Sequence, residues 1–182
     1  LFSYIASGMV ERRILARDAE VSSQYVNSIV RLAGAVSYFH GDAVNPKAPE
    51  MEAFFRQVSG LPEVLGANVY GFNRTVLWSS DSAQTGRQYL GIDSLEAAFR
   101  GELHPEIESA EGHDEGGEHV EFPSGVSQYI ETYVPVWSAD GKSVAGAVEV
   151  YRSAASILDE ISAVRHVIWL GSAIGAAVLF LT

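Results

Sequence analysis

The stretch TYVPVWSADGKSVAGAVEVYRSAASILDEI, residues 132–161, constrains this chain most. Two runs rich in β-branched and aromatic residues flank Asp140-Gly141, a turn signal, and read as a hairpin. Ser153 then offers a helix cap, and AASILDEISAV begins a helical pattern. From Val167 to Leu181 the chain carries no charge over 15 residues. A sheet that empties into a helix, which itself turns wholly apolar, points to a domain joined rigidly to a membrane-directed element. The run falls short of the roughly 20 residues that span a bilayer. It is read as the start of a second membrane span over 164–182, with Trp169 near the interface and Arg165 and His166 flanking it. A buried core helix is the competing reading. LFSYIA, within residues 1–8, is read as the end of a first span, which leaves 9–163 as one domain on one side of the membrane.

Charge narrows the partners. A net charge of −11 leaves no basic stripe for nucleic acid, and is mildly unfavourable for an anionic lipid surface. Cysteine is absent, so no disulfide framework, thiol nucleophile or Cys-based metal site exists.

Between about Val10 and Phe39, apolar residues at Ile14, Val21, Tyr25, Ile29, Leu32 and Val36 fall on one helical stripe. This predicts one long helix rising from the membrane. HGDAVNPKAPE is a linker, and a short helix is expected over Glu50–Val58. EVLGANVYGF and TVLWSS read as strands around an Asn-Arg turn. IDSLEAAFRGE reads as a short helix with Asp93 or Ser94 as N-cap and Gly101 beyond its last turn. The segment from His104 to Phe122 is dense in acid, with seven carboxylates from Glu106 to Glu121, and its middle, which holds Gly112, Gly116 and Gly117, reads as a mobile loop. HVEFP, SQYIETYVPVW and SVAGAVEVYR supply three further strands. Five antiparallel strands with helices across them make an α+β domain.

This order, with VLWSSDSAQTG and YIETYVPVWSADGKSVAGAVEVY, resembles the PAS-like extracytoplasmic sensor domains called PDC or Cache domains. They occur on bacterial histidine kinases, chemoreceptors and diguanylate cyclases. The likeness covers nearly the whole chain. It implies a PAS-like antiparallel five-stranded sheet with a long N-terminal helix and a C-terminal helix running into the membrane. It further implies a sensor histidine kinase of the cell inner membrane, with this domain in the periplasm and the catalysis beyond residue 182. A protein-interaction module without a small ligand is the alternative, as are the other two receptor classes. No cofactor and no catalytic residue is called for: G-x-S-x-G, a Walker loop and H-E-x-x-H are all missing.

With Trp137 opposite Val144, Tyr133 is expected opposite Val148. Tyr129, Glu131, Tyr133 and Trp137 then share a face beside Gly146. Ile130, Thr132, Val134 and Val136 share the other with Ala145, Ala147, Glu149 and Tyr151. The first face is a candidate ligand floor, or else a half-buried sheet face with Glu131 at its edge. The resemblance places the ligand between the sheet and the region after the second strand, which here offers Trp78, Asp81, Arg87, Gln88 and Tyr89. Arg87 suits a carboxylate as a fork, or is a solvated loop residue. The signatures of amino-acid-binding Cache domains are not evident in TGRQYLG. The candidate ligand residues are therefore Trp78, Arg87, Tyr89, Tyr129, Glu131 and Tyr133, with Thr132, Glu149 and Tyr151 held in reserve should Tyr129 and Tyr133 lie under the long helix. His104, His113 and His119 among the acids are read as a solvated loop rather than a metal site. The helix stripe and Gly171-Ser-Ala-Ile-Gly175 point to a parallel homodimer, with twin contacts near Ile14, Val21 and Tyr25, and with Leu32 and Val36 packed on the domain's own sheet.

Overall fold

The computed structural model describes residues 2–40, 48–60, 63–110 and 125–181. Helix α1 (Phe2–Leu32) opens the chain and stops short of Phe39. Gly34 is the cause. At φ +61 it takes the left-handed conformation that glycine adopts without penalty. Ala35 N–H donates to Val30 C=O and Gly34 N–H to Arg31 C=O, both at 3.0 Å, which closes the helix as a Schellman turn. The expected continuation is a separate 3-10 turn, Val36–His40.

Helix α2 (Ala48–Ser59) and strands β1 (Val64–Tyr70) and β2 (Val76–Ser79) fall where the sequence places them. A 3-10 turn (Ser82–Gln84) leads to α3 (Asp93–Phe99). Neither Asp93 nor Ser94 caps α3; its N-cap is Ile92, which makes no side-chain bond. Strand β3 is His104–Ser109, at the head of the acidic segment, where no strand is expected from the sequence. HVEFP, the expected third strand, lies outside the described residues, as do His113 and His119. The chain ends with β4 (Gln128–Trp137), β5 (Val144–Ser153) and α4 (Ala155–Leu181). Ser153 Oγ accepts from Ala155 N–H at 3.4 Å at the head of α4.

All four strand pairings are antiparallel, in the order β2-β1-β5-β4-β3, giving the α+β, PAS-like sheet that was expected. One face lies under helices. There Val69, Val134, Val136, Val148 and Val150 form a core with Val26 and Val30 of α1, Phe39, and Met51 and Phe55 of α2. Asn27 fixes α1 in place. Its Nδ2 donates to Pro135 C=O at 2.9 Å, and its Oδ1 accepts from Trp137 N–H at 3.0 Å. Leu32, expected on this sheet, is 86% exposed because the helix turns away there, whereas Val36 does pack on the core.

Beyond the sheet, Leu15 of α1 packs on Ile130, Ala154, Ile157 and Ile161, so α1 and α4 run side by side in opposite directions. Arg152 at the end of β5 ties this junction: its Nη1 reaches Asp18 of α1 at 2.6 Å and its Nη2 reaches Glu63 at 2.7 Å. Burial pulls the Arg152 pKa down, but the two carboxylates more than offset it, and the net direction is upward. No helix among the described residues is long and apolar enough to cross a membrane.

Candidate functional site

The register of the β4–β5 hairpin decides what faces away from α1. Trp137 pairs with Val144, as expected, but Val136 pairs with Gly146, and Ala145 is an extra residue. One inserted residue reverses the face of every position beyond it. Tyr133 therefore opposes Glu149 rather than Val148, and Glu131 opposes Tyr151. Ala147, Glu149 and Tyr151, expected beside Ile130 and Thr132, stand with Tyr129, Glu131 and Tyr133. Gly146 moves the other way. An added Cβ there would strike the Phe39 ring, so the space expected beside the aromatics is filled from the helical side.

Strands β1 and β3 widen the same face. Asn68 opposes Glu149 and Tyr70 opposes Ala147. His104, Glu106 and Glu108 oppose Tyr133, Glu131 and Tyr129. Glu149 is fully buried at 0% exposure. Its Oε2 accepts from Asn68 Nδ2 at 2.7 Å and from Tyr70 Oη at 2.8 Å, while its Oε1 accepts from Tyr151 Oη. Asn68 is itself oriented by Ser79, whose hydroxyl donates to Asn68 Oδ1 at 2.6 Å. A buried carboxylate is tolerated only when hydrogen-bonded in this way.

Towards the β3 edge, one carboxylate oxygen from each of Glu106, Glu108 and Glu131 lies within 4.8 Å of the others. Two full charges at that separation repel by about 3.5 kcal/mol at an effective dielectric of about 20. Hydrogen bonds relieve part of this: Tyr129 Oη donates to Glu108 at 2.7 Å, and Tyr133 Oη to Glu131 at 3.4 Å. Burial, and then Glu108, Glu131 and Glu149, push the Tyr129 hydroxyl pKa upward, which keeps it a donor. Three oxygen ligands so close suit a hard divalent cation or an ammonium group. A carboxylate ligand would meet four acids on this face.

Helix α3 roofs the other half. Leu95 and Ala98 pack on Tyr70, Tyr133 and Ala147, with Tyr89 at their edge. Arg74 clamps this roof. It reaches Glu96 at 2.7 Å and lies 3.9 Å over the Phe99 ring. The Arg74 hydrogen bond holds the Glu96 carboxyl below its usual range.

Of the candidate residues, Tyr129, Glu131 and Tyr133 gather on this face, and Tyr89 joins them through Tyr70, its ring 6.3 Å from Tyr70 and Tyr70 6.2 Å from Tyr133. Trp78 does not. It pairs with Val69, points to the helical face and stacks on Phe55 at 5.8 Å. Arg87 is exposed, with Nη1 3.4 Å from Gln84 Oε1. Asn68, Tyr70, Glu106, Glu108, Glu149 and Tyr151 escaped the sequence reading as members of the face. The alternation in HPEIES carried a signal for two of them: His104, Glu106 and Glu108 occupy every second position, a strand pattern hidden within an acidic run.

No family model matches the chain, and no curated protein does. Among solved structures, the sensor domain of E. coli DcuS is similar to this chain, at a TM-score of 0.46 and 14% identity, over 85% of this chain and 98% of that one.

Proposed function

We propose that residues 9–163 are the extracytoplasmic signal-sensing domain of a membrane-bound sensor histidine kinase, held in the periplasm by spans entered at 1–8 and 164–182. A small ligand is bound on the sheet face away from α1, and its signal leaves through α4. One observation carries the reading: β5 bears Glu149 at the centre of the acidic-phenolic face, bears Arg152 against Asp18 of α1, and enters α4 after Ala154 alone. A displacement at Glu149 is therefore delivered to both helices by one strand. The acidity of the face favours a cationic ligand, either a divalent ion or an amine. The module acts as a parallel homodimer through α1, where Val21 and Tyr25 are 61% and 51% exposed. A ligand biases two arrangements of that dimer only by its difference in affinity for them.

Thermal shift of the chain against amines, divalent cations and carboxylates tests this. A specific ligand at a hundredfold its dissociation constant stabilises by about 2.7 kcal/mol. The response should come from cations and should fall in Glu131→Gln. Silence across all three classes would favour a module that meets a protein partner.

A further inference from the structure

The overall charge of −11 speaks against an anionic surface, yet four arginines that the fold leaves unused are gathered at one end. Half of the ten arginines are engaged. Arg74, Arg100 and Arg152 are in ion pairs, and Arg31 and Arg87 are hydrogen-bonded. Among the described residues, the arginines without a side-chain partner are Arg12, Arg13, Arg17, Arg56 and Arg165. All but Arg56 lie at the foot of the domain, where α1 and α4 pair, and all are exposed. Arg13 and Arg17 line a groove of about 400 Å³ between the two helices, with Val10, Ile14, Val21 and Ile157 as its apolar wall and Asp18 and Glu160 beside them. Asp18 is already taken by Arg152.

Below this groove α4 turns apolar and stays open. Val167, Trp169, Leu170 and Ile174 are each more than half exposed. An apolar helix with an aromatic residue at its head and arginines above it matches the layers of a bilayer in sequence: hydrocarbon, interface, headgroup. Direction adds to this. Side chains lean towards the N-terminus of their own helix. The N-terminus of α1 points down the stem, so its arginines lean towards the apolar end. Residues of α4 lean the other way: the acids Asp159 and Glu160, and also Arg165, which is one to two turns nearer the apolar end. Glu11, Asp18 and Glu20 share α1 with these arginines, but Asp18 is held by Arg152, and Glu20 stands above Arg17 and accepts from Gln24.

We propose that this foot docks onto the phosphates of an anionic lipid surface through Arg12, Arg13, Arg17 and Arg165. The inference rests on the reading of α4 as a membrane-entry helix and adds a lipid preference to it. Bound phosphate would hold α1 and α4 at a fixed height and spacing, so lipid charge would bias the same helix pair that the ligand moves.

Flotation with vesicles tests it, comparing pure phosphatidylcholine with phosphatidylcholine containing phosphatidylglycerol, at low and high salt. The chain should bind both, with a preference for the anionic vesicles that shrinks in high salt. An exposed arginine near an anionic surface contributes about fivefold in partitioning, so Arg13→Gln with Arg17→Gln should lower the preference roughly thirtyfold. Arg56→Gln, which removes an equal charge from α2, should leave it intact. Unchanged unfolding temperatures would show that all variants fold. Equal binding to both vesicles, or a preference that survives the double substitution, overturns the lipid site and leaves the sensor reading untouched. No binding to either vesicle overturns the membrane-entry reading and this inference together.

Discussion

Glu149 offers a test in which the competing energies separate. Replacing it by Ala or by Gln removes the same buried charge, so the relief from desolvating a carboxylate, several kcal/mol, cancels between the two variants. What remains is the buried volume that Ala gives up, which widens the gap, and the fate of three donors: Asn68 Nδ2, Tyr70 Oη and Tyr151 Oη. In Glu149→Gln the amide oxygen can take the place of Oε2 and keep the bonds from Asn68 and Tyr70. The amide nitrogen then meets Tyr151, whose hydroxyl rotates to accept. In Glu149→Ala all three donors lose the carboxylate as acceptor in a site with 0% exposure. Each buried donor left unsatisfied costs about 1–3 kcal/mol, so Ala should be less stable than Gln by at least about 3 kcal/mol. In a domain of this size that is about 6–12 °C in unfolding temperature. Urea unfolding followed by far-UV circular dichroism measures the gap. A gap below about 1 kcal/mol would mean that water reaches the donors once the carboxylate is gone, and the picture of a sealed network beneath the binding face would be wrong.

Asn27→Ala should cost about 2 kcal/mol in chemical denaturation, because it orphans Pro135 C=O and Trp137 N–H together. Glu96 has a lowered folded pKa, so its contribution is present above its unfolded value, about 4.3, and is lost as pH falls through the folded one. Unfolding temperature should therefore drop less between pH 6 and pH 3 in Glu96→Gln than in the parent; the difference should stay under about 1 kcal/mol, since the pair is up to a third exposed. Single cysteines at 14, 21 and 25 in the membrane-anchored protein should crosslink between copies. A cysteine at 15 should not, because Leu15 is buried against α4. Uniform crosslinking would refute the dimer through α1.

Where local chemistry decides the outcome, the sequence was legible. The long helical run of α1, the Asp140-Gly141 turn and the strand at VLGANVY each report a choice made within a few residues, and the structure repeats them, although α1 buries Leu15, Ala19, Val26 and Val30 rather than the expected stripe. Misreadings arose where one residue overrules its neighbours. The stripe runs on past Leu32, but a single glycine at φ +61 ends the helix there. Trp78 looked like part of an aromatic floor because it adjoins the loop after β2. Pairing with Val69 turns it to the opposite side, where Phe55 stacks on it. Strand β3 was obscured because its outward acids merge with the acids that follow, so composition masked an alternation of period two.

The bulge at Ala145 matters most, because it decides both what was missed and what the site can do. A regular hairpin would divide the polar residues evenly: Glu131 on one face, Glu149 on the other. A carboxylate on the helical face would have to be buried beside Val134 and Val136, under the apolar residues of α1 and α2. The bulge instead carries Glu149 to Asn68, Tyr70 and Tyr151, and brings it to the face of Glu131. The same step gives Phe39 the space above Gly146 and leaves Arg152 on the α1 side, within reach of Asp18. Deleting Ala145 would restore the regular register at the turn and reverse β5 throughout. Glu149 would enter the apolar core, and Arg152 would leave Asp18. Loss of folding, rather than a folded domain without ligand response, is therefore the expected result. A folded, stable deletion variant would show that the charged positions of β5 do not depend on the bulge.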